Sequence, residues 1–167
     1  MSTAEVDRAA SAPSDAPAID RTERDVRWIM SILPHRYPLL LVDRVLEIEA
    51  GVRIVAIKNV TINEEVFTGH FPGHPVMPGV LLIEGMAQAG GLLVNYQLTP
   101  EERATKLQYF GGIERARFRR PVVPGDQVRY EVTLKRARMN TYKLEGRATV
   151  DGQVAAEATF SSSTVDR

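Results

Sequence analysis

The segment Gly69-His70-Phe71-Pro72-Gly73-His74-Pro75-Val76-Met77-Pro78-Gly79, running on into Val80-Leu81-Leu82-Ile83-Glu84-Gly85-Met86-Ala87-Gln88, decides how the rest of the chain is read. Pro72, Pro75 and Pro78 each fix φ near −65° and disfavour the helical region for the residue before them, so this stretch is a stiff loop that no helix enters before Pro78. The sequence therefore predicts a helix starting at Pro78, where a missing N–H removes no intrahelical bond. Gly79 lets a ligand approach the free N–H groups of the first turn. From Val80 to Val94 nearly every residue is apolar or small, the pattern of a helix covered on all sides. Glu84 and Gln88 break that pattern four residues apart, on one face. A carboxylate carried into an apolar interior is paired, protonated or working.

Working outward, 167 residues with 44% hydrophobic and 25% charged content predict one globular domain. The 21 basic and 21 acidic residues cancel, which argues against nucleic-acid binding. The absence of cysteine excludes disulfides, thiolate metal sites and a cysteine nucleophile, and fits a reducing compartment. With no apolar signal core at the N-terminus and no run long enough for a membrane span, a cytoplasmic location is expected.

Residues 1–21 are rich in Ala, Ser, Asp and Pro without apolar periodicity and read as a disordered tail, leaving 22–167 as the domain. Thr22 with Asp25 marks a helix start, and Val26, Ile29, Met30 and Leu33 give one amphipathic helix ended by Pro34. His35-Arg36-Tyr37-Pro38 is a turn. Residues 39–48 and 52–62 read as two antiparallel strands, and 98–105 as the exit loop of the central helix. Four further strands follow, over 106–119, 127–137, 141–150 and 153–163, the last pair joined by the Asp151-Gly152 hairpin signal. A lone buried helix of about 20 residues, roughly 30 Å long, needs a wrapping, and a curved antiparallel sheet of about six strands is the only candidate. The fold class is α+β.

Three segments together carry a resemblance: His70-Phe71-Pro72-x-His74-Pro75-x-Met77-Pro78-Gly79-Val80, Ile83-Glu84-x-Met86-Ala87-Gln88, and Arg115-Ala116-Arg117-Phe118-Arg119-Arg120-Pro121-Val122-Val123-Pro124-Gly125-Asp126. Over about residues 26–163 the chain resembles the 3-hydroxyacyl-(acyl carrier protein) dehydratases of bacterial fatty acid synthesis, the FabZ type. Gly73 is the one visible departure. The resemblance implies a hot-dog fold, no metal and no organic cofactor. It implies His70 as the base, His74 as a loop-shaping residue and Glu84 as the catalytic acid. Burial favours the neutral, proton-carrying form of a carboxyl, the form that protonates a leaving hydroxyl. Gln88 then orients Glu84 or binds water. Gly79 either permits a tight turn or, as the resemblance implies, offers its backbone N–H to a thioester oxygen at the positive end of the helix dipole.

His70 and His74 have the i, i+4 spacing of helical zinc ligands, but Pro72 and Pro75 forbid that helix. His35 reads as structural. Tyr109 and Phe110 are core aromatics by default, and the resemblance makes Tyr109 a gate over an acyl tunnel. Residues 115–138 hold eight basic side chains against Asp126 and Glu131. Of these, Arg115, Arg117 and Arg119 alternate along one strand face. With Arg120 and Arg136 they are either a solvated face or a landing site for the acidic acyl carrier protein. The resemblance further implies a homodimer with His70 of one subunit facing Glu84 of the other, assembled as three dimers in a hexamer. Hot-dog enoyl-CoA hydratases, acyl thioesterases and a non-catalytic acyl-binding protein are the rival readings. The first two typically carry aspartate where this helix has Glu84, and the last needs no His/Glu pair.

Overall fold

A computed structural model of the chain describes residues 18–167. The central helix, α2 (Gly79–Asn95), begins one residue later than the proline pattern predicts, with Pro78 in extended backbone as its N-cap. Around it lies one antiparallel sheet in the order β1-β2-β3-β5-β6-β7-β4. Its strands are β1 (Ile19–Asp20), β2 (Arg44–Glu49), β3 (Arg53–Asn59), β4 (Lys106–Phe118), β5 (Gln127–Arg138), β6 (Thr141–Val150) and β7 (Gln153–Asp166). A short helix, α1 (Val26–Ile32), precedes the sheet proper, and its N-cap is Asp25, whose side chain accepts from the Trp28 N–H at 3.0 Å.

The core lies between α2 and the concave face of the sheet, where Leu82, Met86, Ala89 and Leu92 meet Ile54, Ala56, Tyr130, Val132, Leu144 and Phe160, all buried. Glycines set the closeness of that contact. A Cβ at Gly90 would come within 2.9 Å of Leu144, and one at Gly146 on β6 within 2.7 Å of the Met86 sulfur. The helix is thus seated on the sheet at distances a larger residue would not allow. It is not covered on all sides, however: Val80 is 66% exposed at its N-terminal end.

Four sequence expectations need correction. The sheet has seven strands, because Ile19 and Asp20 pair with Glu49 and Ile48 on the outer edge of β2. The tail boundary at residue 21 is therefore too late: Asp20 accepts from the Thr22 N–H at 2.8 Å and from the Arg24 guanidinium at 2.6 Å, tying this strand to the domain. The remainder of the expected tail, residues 1–17, falls outside the described residues. The expected strand over 39–48 starts only at Arg44, since the Gln88 side chain takes the Leu39 carbonyl and the Leu41 N–H that a ladder would use. The exit loop contains a helix, α3 (Pro100–Ala104), held by a reciprocal Thr99/Glu102 capping box with Pro100 in its first turn. At the β6–β7 turn, Asp151 and Gly152 both take positive φ (50° and 76°), as a two-residue hairpin turn that matches sheet twist demands.

Strand β4 forms the far edge. It pairs with β7 on one side only and is exposed over most of its length, presenting Tyr109, Phe110, Ile113 and Phe118. None of the helices among the described residues is long and apolar enough to cross a membrane.

Candidate active site

The polar stripe of α2 faces a cavity. Glu84, Ala87, Gln88, Gly91 and Asn95 recur at helical spacing and line one wall, while Tyr109, Phe110, Gln108, Ser162 and Thr164 of β4 and β7 line the other. Ile32, Leu33, Pro34 and His35, which follow α1, close a third side.

Gln88 is buried and fully engaged. Its Oε1 accepts from the Leu41 N–H at 2.8 Å, and its Nε2 donates to the Leu39 carbonyl at 2.6 Å and to Glu84 Oε1 at 2.8 Å. One amide therefore fixes the Glu84 carboxyl to the backbone of residues 39–41. The Glu84 side chain stays 21% exposed, so the carboxyl reaches the cavity rather than being sealed in the core. His35 is the neighbour that sequence reading missed: its Nε2 lies 3.5 Å from Glu84 Oε1. Burial holds the His35 imidazole below its usual pKa, with the Glu84 charge opposing and the Arg36 charge adding to the effect. The residues are 49 positions apart, so no local pattern announces the contact.

His70 sits outside this cavity, in the loop ahead of α2. Its Nδ1 lies 2.6 Å from the Val76 carbonyl oxygen. A carbonyl only accepts, so Nδ1 carries a proton, and in the neutral ring the lone pair is on Nε2. The ring stacks on Phe71 at 4.0 Å, and the His70–Phe71 peptide is cis. Phe71 and His74 exchange backbone hydrogen bonds of 3.1 and 2.9 Å across a turn in which Gly73 has φ 75°, and Val76 N–H returns to the His70 carbonyl at 3.0 Å. His74 is exposed, and its backbone contributes to this turn. The loop is anchored to the sheet side of the molecule by Met77 N–H to the Val122 carbonyl at 2.8 Å.

At the start of α2 Pro78 offers no side-chain cap, and among the described residues the Gly79 and Val80 N–H groups have no intrahelical or capping partner. Gly79 has a steric reason as well, since a Cβ there would lie 2.8 Å from the Phe118 ring. The loop, the helix start and edge strand β4 therefore meet at one exposed surface.

The basic segment divides. Arg119 donates twice to Glu157 Oε2 (2.9 and 2.7 Å), holding that carboxyl below the usual carboxylate range, and Arg120 lies near Asp126 and Gln153. Arg115, Arg117 and Arg119 line a groove on the outer sheet face with Arg147, Glu131, Glu145 and Glu157, so that row is largely balanced by acids. Arg136 and Arg138 flank the β5–β6 turn at Met139 and make no ion pair among the described residues.

The FabA-like domain family matches residues 33–159. The chain is 55% identical, over 80% of its length and 92% of the relative's, to the 3-hydroxyacyl-(acyl-carrier-protein) dehydratase FabZ of Aromatoleum aromaticum. Among solved structures it is similar to the dehydratase heterocomplex ApeI:P of Xenorhabdus doucetiae (TM-score 0.69, 20% identity, 83% of this chain and 91% of that one). It is also similar to a hot-dog-like protein of Thermanaerovibrio acidaminovorans (TM-score 0.57, 18% identity, 71% and 84%), and the helix wrapped in an antiparallel sheet is that hot-dog fold. By the family match and the identity over most of its length, the chain belongs to the FabZ-type 3-hydroxyacyl-(acyl carrier protein) dehydratases.

Proposed function

We propose that the chain removes water from (3R)-3-hydroxyacyl groups carried on acyl carrier protein, giving the trans-2-enoyl thioester in fatty acid biosynthesis. The His70 Nδ1 contact to the Val76 carbonyl carries this reading, because it leaves Nε2 as an oriented base. Nε2 takes the proton from C2. The electron pair of that C–H bond becomes the second bond between C2 and C3, and the C3–O bond breaks. Glu84, held by Gln88, delivers a proton to the departing oxygen directly or through water, which leaves as H2O. Charge that gathers on the thioester oxygen is met by the free N–H groups at Gly79, at the positive end of α2. The curated name of the 55% identical relative favours this reaction over thioester hydrolysis.

His70 belongs to the helix-start surface and Glu84 to the cavity wall, which supports a site assembled from His70 of one chain and Glu84 of another. The exposed apolar side chains Phe71, Val80, Ile113 and Phe118 around edge strand β4 supply the surface for a homodimer, and three such dimers make the hexamer. Acyl carrier protein docks on Arg136 and Arg138 around the β5–β6 turn, and the cysteine-free composition suits the cytoplasm.

The test is turnover of a 3-hydroxyacyl carrier substrate, followed as enoyl absorbance, by the parent and by the His70→Ala and Glu84→Gln variants. Each variant should lose roughly 10²- to 10⁴-fold in kcat while keeping the parent's thermal midpoint. Activity of Glu84→Gln within a few-fold of the parent would remove the acid role from Glu84.

A further inference from the structure

Resting on the dehydratase reading, we propose that Gln108 is the stop that limits how long an acyl chain the cavity accepts. Gln108 enters from β4 and spans to both walls: its Oε1 accepts from Asn95 Nδ2 at 2.9 Å, and its Nε2 donates to Ser162 Oγ at 2.8 Å. Anchored at both ends, the carboxamide cannot swing aside without breaking two hydrogen bonds. It lies directly over the helix at Gly91, where an added Cβ would come within 2.9 Å of Gln108 Oε1. The bare backbone of Gly91 is what allows the amide to cross the path there.

Buried polar groups gather at this point. Toward Glu84 the walls are Ile32, Leu33, Ala87 and Phe110, which suit methylenes. At and past the amide are Thr164, which pairs with Gln108 across the strands, and Asn95 and Arg103, beside Leu98 and Leu107. Thr164 is 8% exposed, and among the described residues its hydroxyl has no hydrogen-bond partner; neither has the buried Arg103 Nε. A hydrocarbon forced past Gln108 would break the amide's two bonds and cover those polar atoms with groups that offer them nothing. The polar end is therefore a barrier to an alkyl chain as well as a wall.

The geometry also gives the length. Gly91 is seven residues beyond Glu84, roughly 10.5 Å along the helix axis at 1.5 Å per residue. An extended chain advances about 1.2 Å per bond, one third of an extended residue. With C3 held at Glu84, about eight or nine further bonds reach the amide, so chains beyond about twelve carbons meet the stop.

The experiment compares kcat/KM on 3-hydroxyacyl carrier substrates of even chain length from four to sixteen carbons. The parent should fall about tenfold or more beyond about twelve carbons. In Gln108→Ala, which removes roughly three bonds' reach of side chain, the fall should move outward by two to four carbons. The sixteen-to-eight-carbon ratio should rise about tenfold. Ser162→Ala, which frees only one end of the amide, should shift the ratio the same way by a smaller factor. A parent with no fall up to sixteen carbons, or folded Gln108→Ala and Ser162→Ala proteins that keep the parent's profile, would overturn the proposal. Binding of saturated acyl-pantetheine thioesters of the same lengths reads the stop without turnover: affinity should rise with length, level near twelve carbons in the parent and keep rising in Gln108→Ala. Failure of turnover with that break in place would count against the dehydratase reading and leave the stop standing; binding with no break would remove the stop.

Discussion

Gln88 Nε2 donates to Glu84 Oε1 at 2.8 Å while the same amide accepts from the Leu41 N–H at 2.8 Å, so the position of the cavity carboxyl is set by a segment more than forty residues upstream. The consequence for stability and for activity can be separated. In Gln88→Leu the buried Leu41 N–H has no acceptor, at a cost of about 1–3 kcal/mol, measurable as a lower urea midpoint. Glu84 loses its tether at the same time, so kcat should drop by more than the folded fraction does. A variant with reduced stability but the parent's kcat would mean that Gln88 serves the fold alone.

His35 predicts a pH dependence of stability. Burial lowers its folded-state pKa below 6.5, the unfolded value. Between those two values the unfolded chain binds the additional proton, so stability rises with pH there; the contribution is complete above about 6.5 and is lost as pH falls through the folded value. Urea midpoints taken from pH 5 to pH 8 should therefore decline on the acid side more steeply in the parent than in His35→Gln. Equal slopes for the two proteins would show that the imidazole titrates as freely in the folded chain as in the unfolded one.

Much of this architecture can be read along the chain, and the parts that cannot share a cause. Three prolines place the start of α2 within one residue because proline acts on its own φ and on its immediate neighbour. Residues 141–150 emerge with the expected bounds because both flanking turns are local. By contrast, β1 exists only because the edge of β2 is open to Ile19 and Asp20, and the strand over 39–48 is shortened because Gln88 reaches its backbone. Both are decided by residues far away in sequence. The α3 helix was within reach, since Thr99-Pro100-Glu101-Glu102 is a capping-box signature, but five residues offer too little periodicity to register. Glu84 and Gln88 stand out from an apolar run, whereas His35 and Gln108 belong to the cavity through tertiary closure alone.

The division of the basic segment predicts different behaviour for two arginines the sequence cannot tell apart. Arg119 is held by Glu157 in an exposed pair, which contributes little to stability, and Arg136 has no such partner among the described residues. Arg136→Glu should raise KM for the carrier-bound substrate several-fold and leave a small thioester mimic unaffected, with the defect shrinking as added salt weakens docking in the parent. Arg119→Glu should show a smaller carrier-specific effect. Equal losses on carrier-bound and small substrates for Arg136→Glu would move the docking face elsewhere.

A site shared between chains makes the strongest demand. If His70 of one protomer works with Glu84 of another, a dimer built from one His70→Ala chain and one Glu84→Gln chain contains one site with both groups intact and one with neither. Each variant alone should be nearly inactive, and mixing them under exchange conditions should restore up to a quarter of the parent's activity at statistical pairing, since half the dimers are mixed and half of their sites are whole. Exchange is checked independently by tagging one variant and recovering the other with it. Recovered heterodimers without activity would place His70 and Glu84 in one chain's site. A monomer by sedimentation would leave the exposed Ile113 and Phe118 of β4 unexplained by pairing and would remove the shared site altogether.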